Sequence, residues 1–423
     1  MAGEGGVMSV IQTCPENEEN LANTAGWEYY PLEEVFTTRQ GYDPSKNVSA
    51  YWENGTIPFI KMEDIRNYGQ RLNKSHNYVT EQAVKTSGVF PAGSFIISTS
   101  ATIGEHALVT VPFLTNRRFT CLFLKPAFEK RLEREFIFYY LYMLGQWCRR
   151  HVNIGTKFAQ VQMSDFRKFS FPIPPLPEQK QISTLLGSIE KAIDLERRCE
   201  ESLTTIKRAA MHVVFTPANT AGWVKVKLGD ICSYDLGKTP ERDNPAYWKK
   251  EEGSVPWVKI ADMSEHCVIT ETSEKISELA FHEVFRGRIV PAGTLLMSFK
   301  LTIGRIAYLG IPACHNEAII SIYPKEGVDK YYLGYFLSQV NYSGIFDRAV
   351  KGNTLNKGKI DRIPILLPPL HEQQEIVDFL TTLDQKLDIH RRKRTCLENI
   401  FRLFLHNLTR GTLRFTEFPE GCF

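Results

Sequence analysis

Along residues 177–214, apolar side chains recur at alternating steps of three and four: Ile182, Leu185, Ile189, Ala192, Cys199, Leu203, Ile206, Ala210 and Val213. This is the a/d seam of a coiled-coil helix, interrupted once by a polar residue, Glu196. At 1.5 Å per residue the helix is roughly 55 Å long, more than one domain can cover, so most of its seam needs a partner. The chain supplies that partner. About 194 residues later Pro175-Leu176-Pro177-Glu178-Gln179 returns as Pro369-Leu370-His371-Glu372-Gln373, and a second seam follows. It runs through Ile376, Leu380, Leu383, Leu387, His390, Arg394, Leu397, Phe401, Phe404 and Leu408. A pseudo-two-fold relation between the copies makes the helices antiparallel and brings Glu196 close to His390 and Arg394. Such a polar patch fixes register more than it adds stability; the alternative is a solvated kink in each helix.

The repeat extends upstream of both helices. Ala25-Gly26-Trp27 answers Ala221-Gly222-Trp223, and Ile57-Pro58-Phe59-Ile60-Lys61 answers Val255-Pro256-Trp257-Val258-Lys259. Pro91-Ala92-Gly93 and Thr102-Ile103-Gly104 return as Pro291-Ala292-Gly293 and Thr302-Ile303-Gly304. A repeat this long is a whole domain plus a helix.

Each domain reads as mixed, with strands in the majority. Short apolar runs at 93–98, 107–111, 120–124, 293–298 and 318–323 predict buried strands, the first and fourth entered through a Pro-Ala-Gly turn. Aromatic-rich stretches at 135–150 and 329–348 predict helices whose rings are core rather than a base-stacking platform. Pro172, Pro174, Pro175 and Pro177, and later Pro364, Pro368 and Pro369, form stiff hinges where each long helix begins.

Composition narrows the class. The chain has 423 residues, 43% of them hydrophobic, enough for two or three domains. Nine cysteines show no CxxC spacing, so neither zinc nor a disulfide framework is signalled. No apolar run approaches membrane-spanning length and residues 1–24 lack a signal pattern, so the chain reads as cytoplasmic, with no membrane partner and a disordered acidic tail at 1–24. Residues 27–174 hold 18 Lys+Arg against 13 Asp+Glu, and 223–368 hold 19 against 17. If these domains hold DNA, the phosphate-contacting charge is concentrated on one face and binding is weak and salt-sensitive.

Two divergent domains, each ending in Pro-Leu-Pro-Glu-Gln or Pro-Leu-His-Glu-Gln and a long helix, resemble the specificity subunits of type I restriction–modification systems over roughly residues 25–415. The resemblance implies an α+β chain with two pseudo-two-fold-related target-recognition domains separated by two long antiparallel coiled-coil helices. The expected boundaries are 25–174 and 216–368 for the domains, 175–215 and 369–415 for the helices, and a tail at 416–423. It further implies double-stranded DNA as ligand, two methyltransferase subunits and restriction/translocase subunits as partners, and no catalysis or bound cofactor in this chain. S-adenosylmethionine, ATP and Mg are expected on the partners.

The residues reach a similar place independently. Two related surfaces on a rigid helix pair read paired half-sites, about 10 bp apart centre to centre, and divergence between the copies makes the target asymmetric. Candidate contacts lie in polar loops rich in Gly, Thr, Asn and Lys, which allow close backbone approach and supply donors and charge. In the second copy these are Lys238, Thr239 and Arg242, then Lys351, Asn353, Thr354 and Lys357. In the first they are Arg39 and Gln40, Thr156 and Lys157, with Arg117 and Arg118 in a further loop. The basic run Arg391-Arg392-Lys393-Arg394 is a surface for a partner or for DNA, or a solvated helix face.

Gly237-Lys238-Thr239 imitates the end of a P-loop, but Cys232 stands where the loop needs glycine and Pro240 interrupts the helix that should follow. Glycine-rich S-adenosylmethionine turns, Asn-Pro-Pro or Asp-Pro-Pro loops, Gly-x-Ser-x-Gly elbows and His-Glu-x-x-His pairs are all missing. Two other readings stay open: a coiled-coil scaffold whose domains bind protein rather than DNA, and, weaker, an enzyme with an unrecognised site.

Overall fold

The computed structural model describes residues 26–153, 159–216, 220, 222–248, 253–264, 266–300, 302–342, 347–349, 352–354 and 357–414. The expected tails 1–24 and 416–423 lie outside them. The chain divides into two units, Met1–Leu195 with Arg394–Phe423, and Glu196–Lys393. Each joins one sheet-bearing domain to part of both long helices, Leu176–Val214 and Leu370–Arg410.

In unit 1 a five-stranded sheet runs in the order Phe36–Gln40, Phe119–Leu124, Ser94–Ser98, His106–Val109, Arg71–Leu72. All pairs are antiparallel except the last. The central strand Ser94–Ser98 is buried on both faces, which is why it reads as an unbroken apolar run rather than an alternation. Phe95 and Ile97 pack beneath the aromatic helix Arg134–Arg150, while Ile96 meets Phe59, Phe90 and Phe113 on the other side. A smaller sheet places Ile57–Ile60 between Tyr78–Val79 and Leu114–Thr115. Glu28–Pro31 pairs with Ser170–Ile173, bringing the two ends of the domain together before the long helix starts.

Unit 2 repeats this order strand for strand. Cys232–Leu236, Ile319–Pro324, Leu295–Ser298, Ile306–Leu309 and Cys267–Ile269 form its large sheet, and Val224–Lys227 with Pro364–Leu367 ties its ends. The aromatic helix here is Lys330–Gln339, shorter than the expected 329–348. Val340 turns to extended backbone, and Tyr342 folds back to donate its hydroxyl to the Leu337 carbonyl at 2.8 Å. In both copies most of the aromatic residues are core, with Phe136, Tyr140 and Tyr332 buried, while Tyr331 is 40% exposed.

The Thr-Ile-Gly elements are packing devices. Gly104 (φ +86°) lies so close to Gly145 of the aromatic helix that a Cβ on either would meet the other's carbonyl oxygen at 2.4 Å. Gly304 (φ +81°) meets the Tyr342 ring in the same way.

Within each unit the two helix segments run antiparallel. In unit 1 Ile182 and Leu186 share a core with Leu405 and Leu408; Leu186 and Leu408, both at 0% exposure, are worth about 1.5–3 kcal/mol each. In unit 2 Met211 packs with Leu380 and Leu383, and Lys207 Nζ meets Asp384 Oδ1 at 2.5 Å. The second seam follows its expected positions through Leu380, Leu383, Leu387 and Leu408. The first departs from them. Leu186 is buried where Leu185 was expected to be, and Ile206 and Val213 are 51% and 56% exposed while Met211 turns inward. A straight helix drifts against a strict 3.5-residue repeat, and this one must also cover its own domain, which moves the buried stripe.

Candidate nucleic-acid interface

The repeated sequence blocks meet at the root of each long helix. Glu178 accepts the indole N–H of Trp27 at 3.1 Å, and Glu372 that of Trp223 at 2.9 Å. Gln179, fully buried, donates to the carbonyls of Arg131 and Pro174 (2.8 and 2.7 Å) and accepts from the Glu133 amide at 2.8 Å. Gln373 does the same to Gly327, Pro368 and Asp329. The Glu-Gln pair therefore bolts helix, aromatic-helix entry and domain N-terminus together. Sequence reasoning missed this joint. The signal it passed over is that Ala-Gly-Trp recurs at nearly the same spacing as Pro-x-x-Glu-Gln.

In unit 1 sheet pairing brings the predicted residues 39–40 and 117–118 to one end of the domain. Gly41 makes this possible, since a Cβ there would meet the Asn116 carbonyl oxygen at 2.2 Å. Gln40 Nε2 donates to the Arg117 carbonyl at 2.8 Å, and Arg117 Nε to Asp43 at 2.9 Å with its side chain 77% exposed. Arg118 is exposed beside it. Arg39 is different. Its guanidinium bonds to the carbonyls of Ser87, Gly88 and Val89 and lies 4.0 Å from the Phe90 ring centroid, so it is committed inside the domain. Thr156 and Lys157 lie outside the described residues. The strands flanking them, Val152–Asn153 and Gln160–Val161, pair with each other, and Val161 bonds to the Thr99 carbonyl while the Thr99 amide bonds to that of Arg118.

Unit 2 builds the equivalent corner with other chemistry. Gly237 approaches Asn316 as Gly41 approaches Asn116. Lys238 Nζ donates to the Val284 carbonyl at 2.8 Å, and the Thr239 hydroxyl donates to Glu317. Arg242 bonds to Glu274 at 2.5 Å and lies 4.0 Å from the Trp248 centroid. Hydrogen bonds from Lys259, then Arg242, hold the Glu274 carboxyl below its ordinary range. Where unit 1 presents Arg117 and Arg118, unit 2 presents Glu317 and buries Ala318. Asn353 and Thr354 lie in the strand Gly352–Thr354, paired with Asp347–Ala349, and Lys357 opens the helix Lys357–Asp361; Lys351 is outside the described residues. Sequence reasoning missed a cavity of about 200 Å³ beside Gly237, lined by Asp235, Arg286, Arg288 and Tyr323.

On the long helices His390 Nδ1 is hydrogen-bonded to Glu196 Oε2, and Arg394 pairs with Glu398 at 2.7 Å. Elsewhere burial pushes the thiols of Cys148, Cys232 and Cys314 up to about 12, which keeps them protonated and poor as nucleophiles. Among the described residues no helix is long and apolar enough to cross a membrane, and no cluster of three His, Cys, Asp or Glu could hold a metal.

Two like domains, each with a polar turn at the edge of the same sheet and each rooted in a long helix, define a tandem-domain protein. Residues 24–205 and 220–399 each match the type I restriction modification DNA specificity domain, and the chain belongs to that family, with two copies of the domain. It is similar to the specificity subunit of the EcoprrI type I restriction enzyme of Escherichia coli, at 44% identity over 170 residues, 40% of this chain and 42% of that one. The StySPI specificity subunit of Salmonella potsdam is 22% identical over 393 residues, 83% and 81% of the two chains. The chain spans about two fifths of the length of the EcoprrI relative and of the MjaIX specificity subunit of Methanocaldococcus jannaschii. Among solved structures, a chain from a study of complex assembly and conformational transition in a type I R-M system superposes with TM-score 0.61 at 19% identity, over 92% of this chain and 99% of that one. The type I system S subunit of M. genitalium gives 0.53 at 14%, over 90% and 96%. At these identities both bear on the fold alone.

Proposed function

We propose that this chain is the DNA sequence-specificity subunit of a type I restriction–modification complex, each unit reading one half of an asymmetric, bipartite site in double-stranded DNA. The observation that carries this is the shared corner with unlike side chains. Two copies of a specificity domain use the same strand-end turn, but one offers the cations Arg117 and Arg118 and the other the anion Glu317, with Ala318 buried behind it. Equal scaffolds with unequal readers select unequal half-sites. The long helices set the gap and dock two methyltransferase subunits. Those subunits hold S-adenosylmethionine, a restriction/translocase subunit holds ATP and Mg, and this chain performs no catalysis.

Genome-wide adenine-methylation mapping, with the neighbouring methyltransferase alone and then with this chain, tests the reading. A split, asymmetric motif that appears only with this chain is expected. A stable complex that methylates no such motif refutes it.

A further inference from the structure

The two units solve the same corner of the fold differently, and the difference opens a cavity. Arg39 pairs with Cys121 as Asp235 pairs with Ser321, and Phe90 bridges Phe113 as Val290 bridges Ala313, so Arg39 and Asp235 occupy equivalent positions. In unit 1 the slot beside this position is filled. The planar Arg39 guanidinium donates to three successive carbonyls, those of Ser87, Gly88 and Val89, with the Phe90 and Phe123 ring centroids at 4.0 and 5.5 Å. In unit 2 the arginine is replaced by aspartate, and the cavity of about 200 Å³ opens in its place. Its lining includes Asp235, the loop residues Arg288 and Ile289 that match Gly88 and Val89, and Tyr323 in place of Phe123.

The lining states what fits. The Asp235 carboxylate is an acceptor and Tyr323 contributes an aromatic ring, so the lining suits a planar group with N–H donors. The rim is cationic. Lys238, Arg286 and Arg288 border the cavity, and Arg286 is carried at φ +55° just before Gly287 at φ +70°. A lone guanidinium from another protein meets these like charges, each opposing it by about 1 kcal/mol at 4 Å even in water. A nucleobase with an exocyclic amine meets the floor equally well and brings a phosphate for the rim.

We propose that the unit 2 cavity takes the base of a single unstacked nucleotide, adenine, cytosine or guanine, with its phosphate on Arg286 and Arg288. The proposal rests on the DNA-reading assignment of unit 2 for the source of that nucleotide, a base turned out of the target duplex. A free nucleotide shares the chemistry and is separated from it by experiment.

The informative variant is Asp235→Arg, which gives unit 2 the plug that unit 1 carries and so fills the cavity without emptying the core. The full chain with its methyltransferase is bound to duplexes carrying the mapped site, with 2-aminopurine, pyrrolo-cytosine or a fluorescent pteridine analogue of guanine scanned through the unit 2 half-site. The wild type is expected to raise fluorescence severalfold at one position, and Asp235→Arg to abolish that rise. In parallel, AMP, CMP and GMP are titrated calorimetrically into the wild type and the variant. Binding that Asp235→Arg removes, with no fluorescence rise in the duplex, supports the cavity chemistry and assigns it to a free nucleotide. Neither signal in the wild type overturns the proposal. The calorimetric arm needs no duplex, so failure of sequence-specific DNA binding, which would sink the functional reading, is told apart from failure of the cavity.

Discussion

The indole N–H of Trp27 donates to Glu178, 151 residues later in the chain, at 3.1 Å. Arg414 reaches the same carboxylate with two further bonds of 2.5 and 2.8 Å, its side chain 17% exposed. Beginning, middle and end of unit 1 thus converge on one acidic side chain. Gln179 beside it closes the joint with three bonds and no solvent exposure.

Replacing Gln179 with Ala leaves the Glu133 amide and two carbonyls without their partner. Each stranded group costs about 1–3 kcal/mol, less whatever water recovers, so a net loss of about 2–4 kcal/mol is expected. Urea unfolding of the full chain checks it. Because the joint is local, the transition of unit 1 should move and that of unit 2 should not. A loss under about 0.5 kcal/mol would show that the joint is dispensable.

Arg117 makes an opposite prediction. Its pair with Asp43 is exposed, so Asp43→Ala should change stability by less than about 1 kcal/mol. Arg117→Ala should instead weaken DNA binding and reduce the slope of log K against log salt by about 1 if the guanidinium reaches phosphate. An unchanged slope and affinity would remove Arg117 from the interface. Arg39→Ala should behave the other way round, losing stability first, because its guanidinium already serves three carbonyls.

How much of this was readable in advance follows from what each feature depends on. The double domain, its strands and the aromatic helices are local patterns repeated at a fixed offset, and 94–98 and 295–298 announce themselves as apolar runs. The meeting of Glu196 with His390 follows from symmetry applied to two seams. The commitment of Arg39 does not, because its acceptors are carbonyls that exist only once residues 87–89 have folded against the sheet. The unit 2 cavity is harder still. It becomes visible only by matching Arg39 with Asp235, and the offset between the copies slides from 196 at that strand to 200 at its partner. Ile206 and Val213 were misplaced for a simpler reason, since a heptad count ignores the domain that also claims the helix.

Two buried histidines, His106 and His315, and the half-buried His266 make stability pH-dependent. Burial lowers His106, His266 and His315 to about 4, against an ordinary value near 6.5. Between those values the unfolded chain binds the protons and the folded chain does not, so stability rises with pH across that window. It is complete above about 6.5 and lost progressively as pH falls towards 4. Each histidine contributes at most about 3 kcal/mol. Urea midpoints at pH 7 and pH 5 should differ, and His106→Gln should shrink the difference for unit 1. A variant with the full wild-type difference would show that other groups carry it.

The pair formed by Glu196 and His390 sits in a largely apolar seam, with side chains 16% and 26% exposed. Removing one partner strands the other. His390→Leu takes from the Glu196 carboxylate the hydrogen bond it makes across the seam, and a loss of about 1–2 kcal/mol is expected at this partial burial. Removing both costs little, because Glu196→Leu with His390→Leu continues the seam and replaces a desolvated polar pair by packing. The double variant should therefore equal or exceed the wild type in urea unfolding. Its defect should lie in register, since a uniform leucine seam accepts neighbouring alignments that a single polar pair rejects. Under the proposed function this reads out as the gap of the methylated motif, fixed in the wild type and heterogeneous in the double variant. A double variant as unstable as His390→Leu alone would mean that the pair is a net source of stability and that register is set elsewhere.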